Sequence, residues 1–167
     1  MDFPYYLNEF KQAADQLDKK EIETETGIWL NSVVLRLQKR SWANKPSERP
    51  QSGAAIFFSA WLNAAAVKED MLLYNIHALK LRQLSGYSIA SREFAAAFRQ
   101  RFKRVERQWP HVSTGFGPLT LMQGWKEIDT GHLPKYISEL ANKFLEIDFL
   151  IDDLLRHYKR SNTKKGK

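Results

Sequence analysis

Apolar residues recur every three or four positions in three parts of the chain, and this spacing predicts three helices. We expect them over residues 3–21, 91–108 and 133–159. Pro4 suits the first turn of the first helix, and Ser91 is the expected N-cap of the second. The third is predicted as one long helix, because a single apolar stripe runs along its length.

Four other segments carry patterns that are typical of strands. Residues 28–38 and 119–128 alternate between the two faces, whereas residues 54–62 are apolar on both faces and rich in aromatic rings. Residues 71–84 fit a strand or a helix, and the Ser-Gly turn at 85–86 favours the strand. A helix competes with the strand for residues 28–38 as well.

The order of these elements predicts the fold class. We expect an α+β domain, in which a mostly antiparallel sheet of three to four strands packs against an N-terminal helix, a middle helix and a long C-terminal helix. The domain is predicted to cover residues 1–159. Residues 160–167 are expected to form a disordered basic tail, because no apolar residue follows Tyr158 to anchor them.

The composition limits the classes of protein to which the chain can belong. Of its 167 residues, 43% are hydrophobic, which is enough for a packed core. Cysteine is absent, which excludes disulfides, thiolate metal sites and a cysteine nucleophile. No apolar run approaches the ~20 residues of a membrane span, and the first residues do not resemble a signal peptide. We therefore expect a cytoplasmic protein with no membrane partner.

The net charge of +7 is concentrated in three basic blocks: the loop at 41–53 with its flanks, the helix at 91–108, and the tail from residue 156 onward. Four bases of the helix fall on one face, away from its phenylalanines, and could neutralise phosphates. A tryptophan inside the basic loop could stack on an unpaired base. The predicted nucleic-acid contacts are Arg92, Arg99, Lys103, Arg107, Lys39, Arg40, Lys45, Arg49 and Trp42.

The sequence favours a non-catalytic domain that binds nucleic acid or another polyanion, such as an acidic protein, through the cationic helix face. A second interpretation is a protein-interaction module or homodimer that uses Leu145 and Phe149, which point away from the main stripe of the last helix. A third is a small enzyme with His77 in a pocket lined by Trp61 and Tyr74. The histidines lack metal-ligand spacing and no glycine-rich loop has a phosphate-binding context, so no metal or cofactor is predicted.

Overall fold

Five antiparallel strands form the centre of the fold. The strands are β1 (Ile22–Trp29), β2 (Ser32–Lys39), β3 (Ala55–Leu62), β4 (Met71–Leu79) and β5 (Thr120–Glu127). In the computed structural model, which describes residues 1–18, 20–45, 47 and 53–160, they lie side by side in chain order, and each is antiparallel to its neighbours. The α+β class and the antiparallel pairing are confirmed, whereas the predicted number of three to four strands is too low.

The strand that the sequence pattern missed is β1. Its inward positions carry Ile22, Thr24, Thr26 and Ile28, and acids alternate with them, so the apolar signal is weak. β1 lies at the edge of the sheet, where charged side chains are common because they discourage pairing with another chain. The prediction for 28–38 therefore merged the end of β1 with β2.

The helices are α1 (Phe3–Asp15), α2 (Ala64–Lys68), α3 (Ser91–Phe102), α4 (Leu133–Ile147) and α5 (Phe149–Tyr158). α1 begins where Asp2 caps it, since the Asp2 carboxylate accepts a hydrogen bond from the Tyr5 N–H at 3.1 Å. It ends well before the predicted residue 21. Ser91 is the first residue of α3 and not its cap; Ala90 holds the cap position without a side-chain hydrogen bond.

The predicted single helix over 133–159 is bent. α4 and α5 meet at Asp148, which keeps helical backbone angles (φ −60°, ψ −27°). The Ile151 N–H donates to the Asp148 carbonyl at 3.0 Å, so helical turns continue through the bend. The apolar stripe gave no sign of this, because it is continuous across the bend.

The core lies between one face of the sheet and the helices. α1 packs on β1 and β2, α4 packs on β3 and on α1, and α3 packs on β5 and α5. Aromatic rings fill the centre, where Phe58 of β3 stacks on Phe144 of α4 at 4.5 Å between ring centroids. This face is called the covered face below, and the opposite one the open face.

Candidate anion-binding surface

Arg99, at the centre of the predicted cationic helix face, binds backbone carbonyls. Its Nε donates to the Leu121 oxygen at 3.2 Å, and its Nη2 donates to the oxygens of Phe116, Gly117 and Thr120 at 2.8–2.9 Å. Partial burial lowers the pKa of Arg99, although a guanidinium remains charged at neutral pH. These bonds hold the loop in front of β5 in place, so Arg99 has few donors left for a phosphate.

Lys39 and Trp42 are held by the C-terminal helices. Lys39 Nζ pairs with Asp148 at 3.2 Å and with Asp152, and Trp42 Nε1 donates to Asp152 at 2.8 Å. Partial burial lowers the pKa of Lys39, but its hydrogen bonds and charge attraction to Asp152 and Asp148 outweigh this and raise it. Burial raises the pKa of Asp148. Trp42 is 0% exposed and packs edge-on against Phe144, so the predicted stacking of Trp42 on a base is wrong.

The other predicted bases of α3 and its C-terminal extension are exposed. Arg92, Lys103 and Arg107 lie at the surface. Two further bases of this segment, Arg101 and Arg104, line a cavity of about 540 Å³ together with residues of α5. Among the described residues, the two cavities that Arg40 lines contain no base of this segment.

Bases from three separate segments instead converge on a different cavity, of about 500 Å³. One comes from the connection between α1 and β1, two come from the end of β2, and two come from the end of α5. Two acidic side chains also line it, so the lining is positive overall. The bases, called the basic cluster below, are Lys20, Lys39, Arg40, Arg156 and Lys159.

Most of the basic cluster is open to an incoming anion. Arg40 Nε lies 3.7 Å from Glu23 Oε1, and the Arg40 side chain is 74% exposed. Arg156 Nη1 lies 3.0 Å from Asp153 Oδ1 on the same helix. Exposed ion pairs of this kind contribute little free energy, and each leaves part of the guanidinium fork unoccupied. Lys20 and Lys159 form no ion pair with any residue in the described ranges.

Backbone hydrogen bonds fix the end of α5 beside the cluster. The Ser88 N–H donates to the Tyr158 carbonyl at 2.9 Å, and the Arg160 N–H donates to the Gly86 carbonyl at 2.9 Å. Gly86 has φ +86°, a conformation that glycine adopts without strain. The chain thus leaves α5 next to the cluster. The tail predicted to be disordered, with Lys164, Lys165 and Lys167, lies outside the described residues apart from Arg160.

The remaining predicted site residues lie elsewhere. Lys45 is exposed but does not line the cavity, and Arg49 lies outside the described residues. Leu145 packs partly buried against the core, whereas Phe149 is 51% exposed at the start of α5. Their role in a homodimer stays a prediction.

The pocket that the enzyme interpretation predicted around His77 is wrong in one of its lining residues. Tyr74 lies on the covered face, where its hydroxyl donates to the Pro110 carbonyl at 2.6 Å and burial raises its pKa. His77 and Trp61 lie on the open face, because side chains at odd and even positions of a strand point to opposite faces. His77 and Tyr74 therefore cannot share a pocket.

Only part of the basic cluster could be predicted from the sequence. Lys39 and Arg40 were predicted as contacts, and Arg156 and Lys159 belonged to the basic tail. Lys20 was missed, because it follows the acidic end of α1 and stands out only once the chain is folded. The convergence depends on contacts between distant parts of the chain, such as the 113-residue separation of Lys39 and Asp152.

Metal sites, membrane-spanning helices and similarity to known proteins were also considered. Within the described residues, no three His, Asp or Glu side chains are grouped so that they could hold a metal ion. No helix in that part of the chain combines the length and the apolar character that a membrane crossing needs. Comparisons with protein-family models, curated proteins and solved structures found no match.

Proposed function

We propose that the protein binds nucleic acid and that the phosphates are held at the basic cluster. The observation that supports this most directly is the convergence of five bases, from three segments of the chain, on one open cavity. The proposal keeps the predicted class of partner but moves the contacts from the helix face to the region around Arg40, Arg156 and Lys159.

Electrostatics favour a polyanion over a single small anion at this place. Each phosphate that a base neutralises releases a condensed counterion, so several weak contacts add up along a strand. The net charge of +7 attracts such a partner from a distance of about one Debye length, ~8 Å at physiological salt. Binding should therefore weaken steeply as salt is added.

The proposal is tested by titrating a fluorescently labelled single-stranded oligonucleotide with the protein and following its anisotropy at several salt concentrations. The double variant Arg40→Glu with Lys159→Glu should weaken binding at least tenfold at low salt. It should also make the plot of log affinity against log salt shallower by about 1.4, because two contacts to a single strand are lost.

The matched control is Lys103→Glu with Arg107→Glu, which changes the net charge equally but lies beyond the basic cluster. We expect a loss of less than threefold for this control. Equal losses in the two double variants would mean that binding follows net charge alone. The absence of binding by the unaltered protein at low salt would refute the proposal outright.

A further inference from the structure

The open face of the sheet carries a row of polar side chains across all five strands. The strand register places Glu25, Arg36, Ser59, Asn75 and Gln123 directly beside one another. Ser59 and Asn75 at the centre of the row are 5% and 4% exposed. Polar groups so deep in a protein normally have hydrogen-bond partners, so this row indicates more than a solvated surface.

A small cavity of about 210 Å³ lies over the middle of this row. Aromatic residues form much of its wall, and Arg36, Asn75 and His77 are among its polar lining residues. Its volume corresponds to about seven water molecules at ~30 Å³ each, which suits one planar ring system and not a drug-sized ligand. The aromatic wall residues are Trp29, Phe57 and Trp61.

Arg36 is held between two of these rings. Its guanidinium carbon lies 4.2 Å from the ring centroid of Phe57 and 5.3 Å from that of Trp29. The Trp29 ring lies across Gly27, where a Cβ atom would be only 2.9 Å from it. Arg36 forms no ion pair with a carboxylate of the described residues, so its donors are available to a ligand.

Asn75 presents a hydrogen-bond acceptor that nothing satisfies. The His77 Nδ1 lies 3.2 Å from the Leu119 carbonyl, which requires a proton on Nδ1 and leaves Nε2 as the acceptor. The Asn75 Nδ2 donates to that Nε2 at 2.9 Å. This assignment directs Asn75 Oδ1 elsewhere, and Oδ1 is buried without a partner among the described residues.

The protonation of His77 is consistent with this arrangement. Burial and the nearby charge of Arg36 lower its pKa, and these effects outweigh the bond to the Leu119 carbonyl, which raises it. A neutral ring at pH 7 keeps Nε2 as an acceptor, so that Asn75 Nδ2 stays occupied. One of the two N–H groups of Asn75 Nδ2 is thus held by His77, whereas Asn75 Oδ1 has no partner among the described residues.

We propose that this cavity receives one nucleobase, which stacks on the tryptophan rings and forms hydrogen bonds with Arg36 and Asn75. A nucleobase is planar and carries an N–H donor next to an acceptor on one edge, and the acceptor suits the guanidinium of Arg36. Stacking on aromatic side chains with hydrogen bonds to the base edge is a general way in which sheets hold unpaired bases.

The surface between this cavity and the basic cluster is continuous. A further concavity, of about 750 Å³, is lined by Arg40 of the cluster, by Arg36 of the cavity and by the acid Glu25. Glu23, which also lines it, is engaged by Arg40 and by Gln38 Nε2 at 3.3 Å. A single-stranded nucleic acid whose phosphates are held at the cluster can thus place one of its bases in the cavity. For a base from this source, the inference rests on the proposed function. A free nucleoside is the other source.

The test compares three kinds of ligand. Free nucleosides are titrated while tryptophan fluorescence is followed; single-stranded oligonucleotides are followed by anisotropy; and inorganic polyphosphate serves as a polyanion without bases. Asn75→Leu should weaken oligonucleotide binding at least tenfold and leave polyphosphate binding within twofold of the unaltered protein.

A second variant guards against misfolding, because Asn75 is buried. Trp29 lies at the rim of the cavity and is 36% exposed, so Trp29→Ala leaves the buried layer in place. Loss of a stacking ring should weaken oligonucleotide binding at least fivefold. The matched control is Trp125→Ala on the same face, since Trp125 stacks on His111 at 3.6 Å outside the cavity and should change binding less than twofold.

Each outcome decides between the two proposals. Weakened oligonucleotide binding in both cavity variants supports the inference, and nucleoside binding that is lost in the same variants identifies the free nucleoside as a source. If polyphosphate and oligonucleotides bind equally well and neither variant matters, the inference is overturned and the proposed function stands. Nucleoside binding without any polyanion binding would overturn the proposed function alone. No binding of any of these ligands overturns both.

Discussion

The two faces of the sheet differ in the side chains that they bury and in whether the buried polar atoms have hydrogen-bond partners. On the covered face, Phe58 and Tyr74 are buried against helices, and the Tyr74 hydroxyl has a partner. On the open face, the next residues along the strands are Ser59 and Asn75, which are also buried but polar, and Asn75 keeps an unsatisfied oxygen. The covered face thus serves stability, whereas the open face keeps a feature that costs stability.

The unsatisfied oxygen of Asn75 on the open face lowers the stability of the fold by a substantial amount. A buried acceptor without a partner costs about 1–3 kcal/mol of stability. The β1–β2 turn adds strain, because Leu30 and Asn31 have φ of +49° and +58°, and Leu30 is 97% exposed beside the cavity. Departures from local rules of this kind are expected at functional sites.

The largest expected difference between the faces comes from two neighbouring phenylalanines. Phe58→Ala should lower the free energy of unfolding by about 3–5 kcal/mol, because a packed core cannot close the gap. Phe57→Ala should cost about 1–2 kcal/mol, since the Arg36 side chain above it can collapse into the space. Urea denaturation measures both, and equal losses would contradict the distinction between the faces.

Two glycines give the next largest difference. A Cβ at Gly124 on the covered face would collide with the Tyr74 hydroxyl and would lie 2.9 Å from the His111 carbonyl, so Gly124→Ala should cost about 1–3 kcal/mol. A Cβ at Gly27 meets only the ring of Trp29, which can move. Gly27→Ala should therefore leave the thermal midpoint almost unchanged while it weakens base stacking. A large fall in the midpoint for Gly27→Ala would show that the ring is structurally fixed.

The hairpin tip should respond in the opposite direction. Asparagine tolerates the left-handed conformation that strains Leu30, so Leu30→Asn should raise the free energy of unfolding by about 1 kcal/mol. Chemical denaturation checks the gain, and oligonucleotide binding of the same variant checks its cost. Unchanged stability would mean that the turn is not strained.

The smallest expected effect is the pH dependence from His77. Because its pKa is lowered in the folded state, the unfolded chain takes up a proton first as the pH falls below 6.5. The stability contributed by neutral His77 is therefore present above pH 6.5 and declines from there to the lower pKa of the folded state. His77→Gln should make the thermal midpoint fall less between pH 7.5 and 5.5. The same fall in both proteins would exclude His77 as the cause.

The sequence pattern predicted best what depends on neighbouring residues. The segments that became β3, β4 and β5 were predicted as strands, and the helix predicted over 91–108 does begin at residue 91 but ends at Phe102. β1 was missed because an edge strand carries little apolar signal. The bend at Asp148 was missed because the apolar stripe continues across it from α4 to α5.

The candidate sites were harder to predict, because they depend on which distant residues meet. Trp42 beside basic residues suggested a surface ring, yet it is fully buried, and its indole N–H donates to Asp152. Arg99 stood on a basic helix face, but the loop before β5 and the first two residues of β5 each bring two carbonyls to it. The polar row on the open face appears only when the register of all five strands is known.

NMR mapping of the amide and indole signals of ¹⁵N-labelled protein, during titration with a single-stranded oligonucleotide, shows directly where a nucleic acid binds. If the basic cluster and the cavity form one binding surface, signals move around Lys20, Arg40 and Lys159, together with the indole N–H of Trp29 and Trp61. Movement confined to the exposed bases Arg92, Lys103 and Arg107, with both the basic cluster and the cavity unchanged, would contradict this expectation.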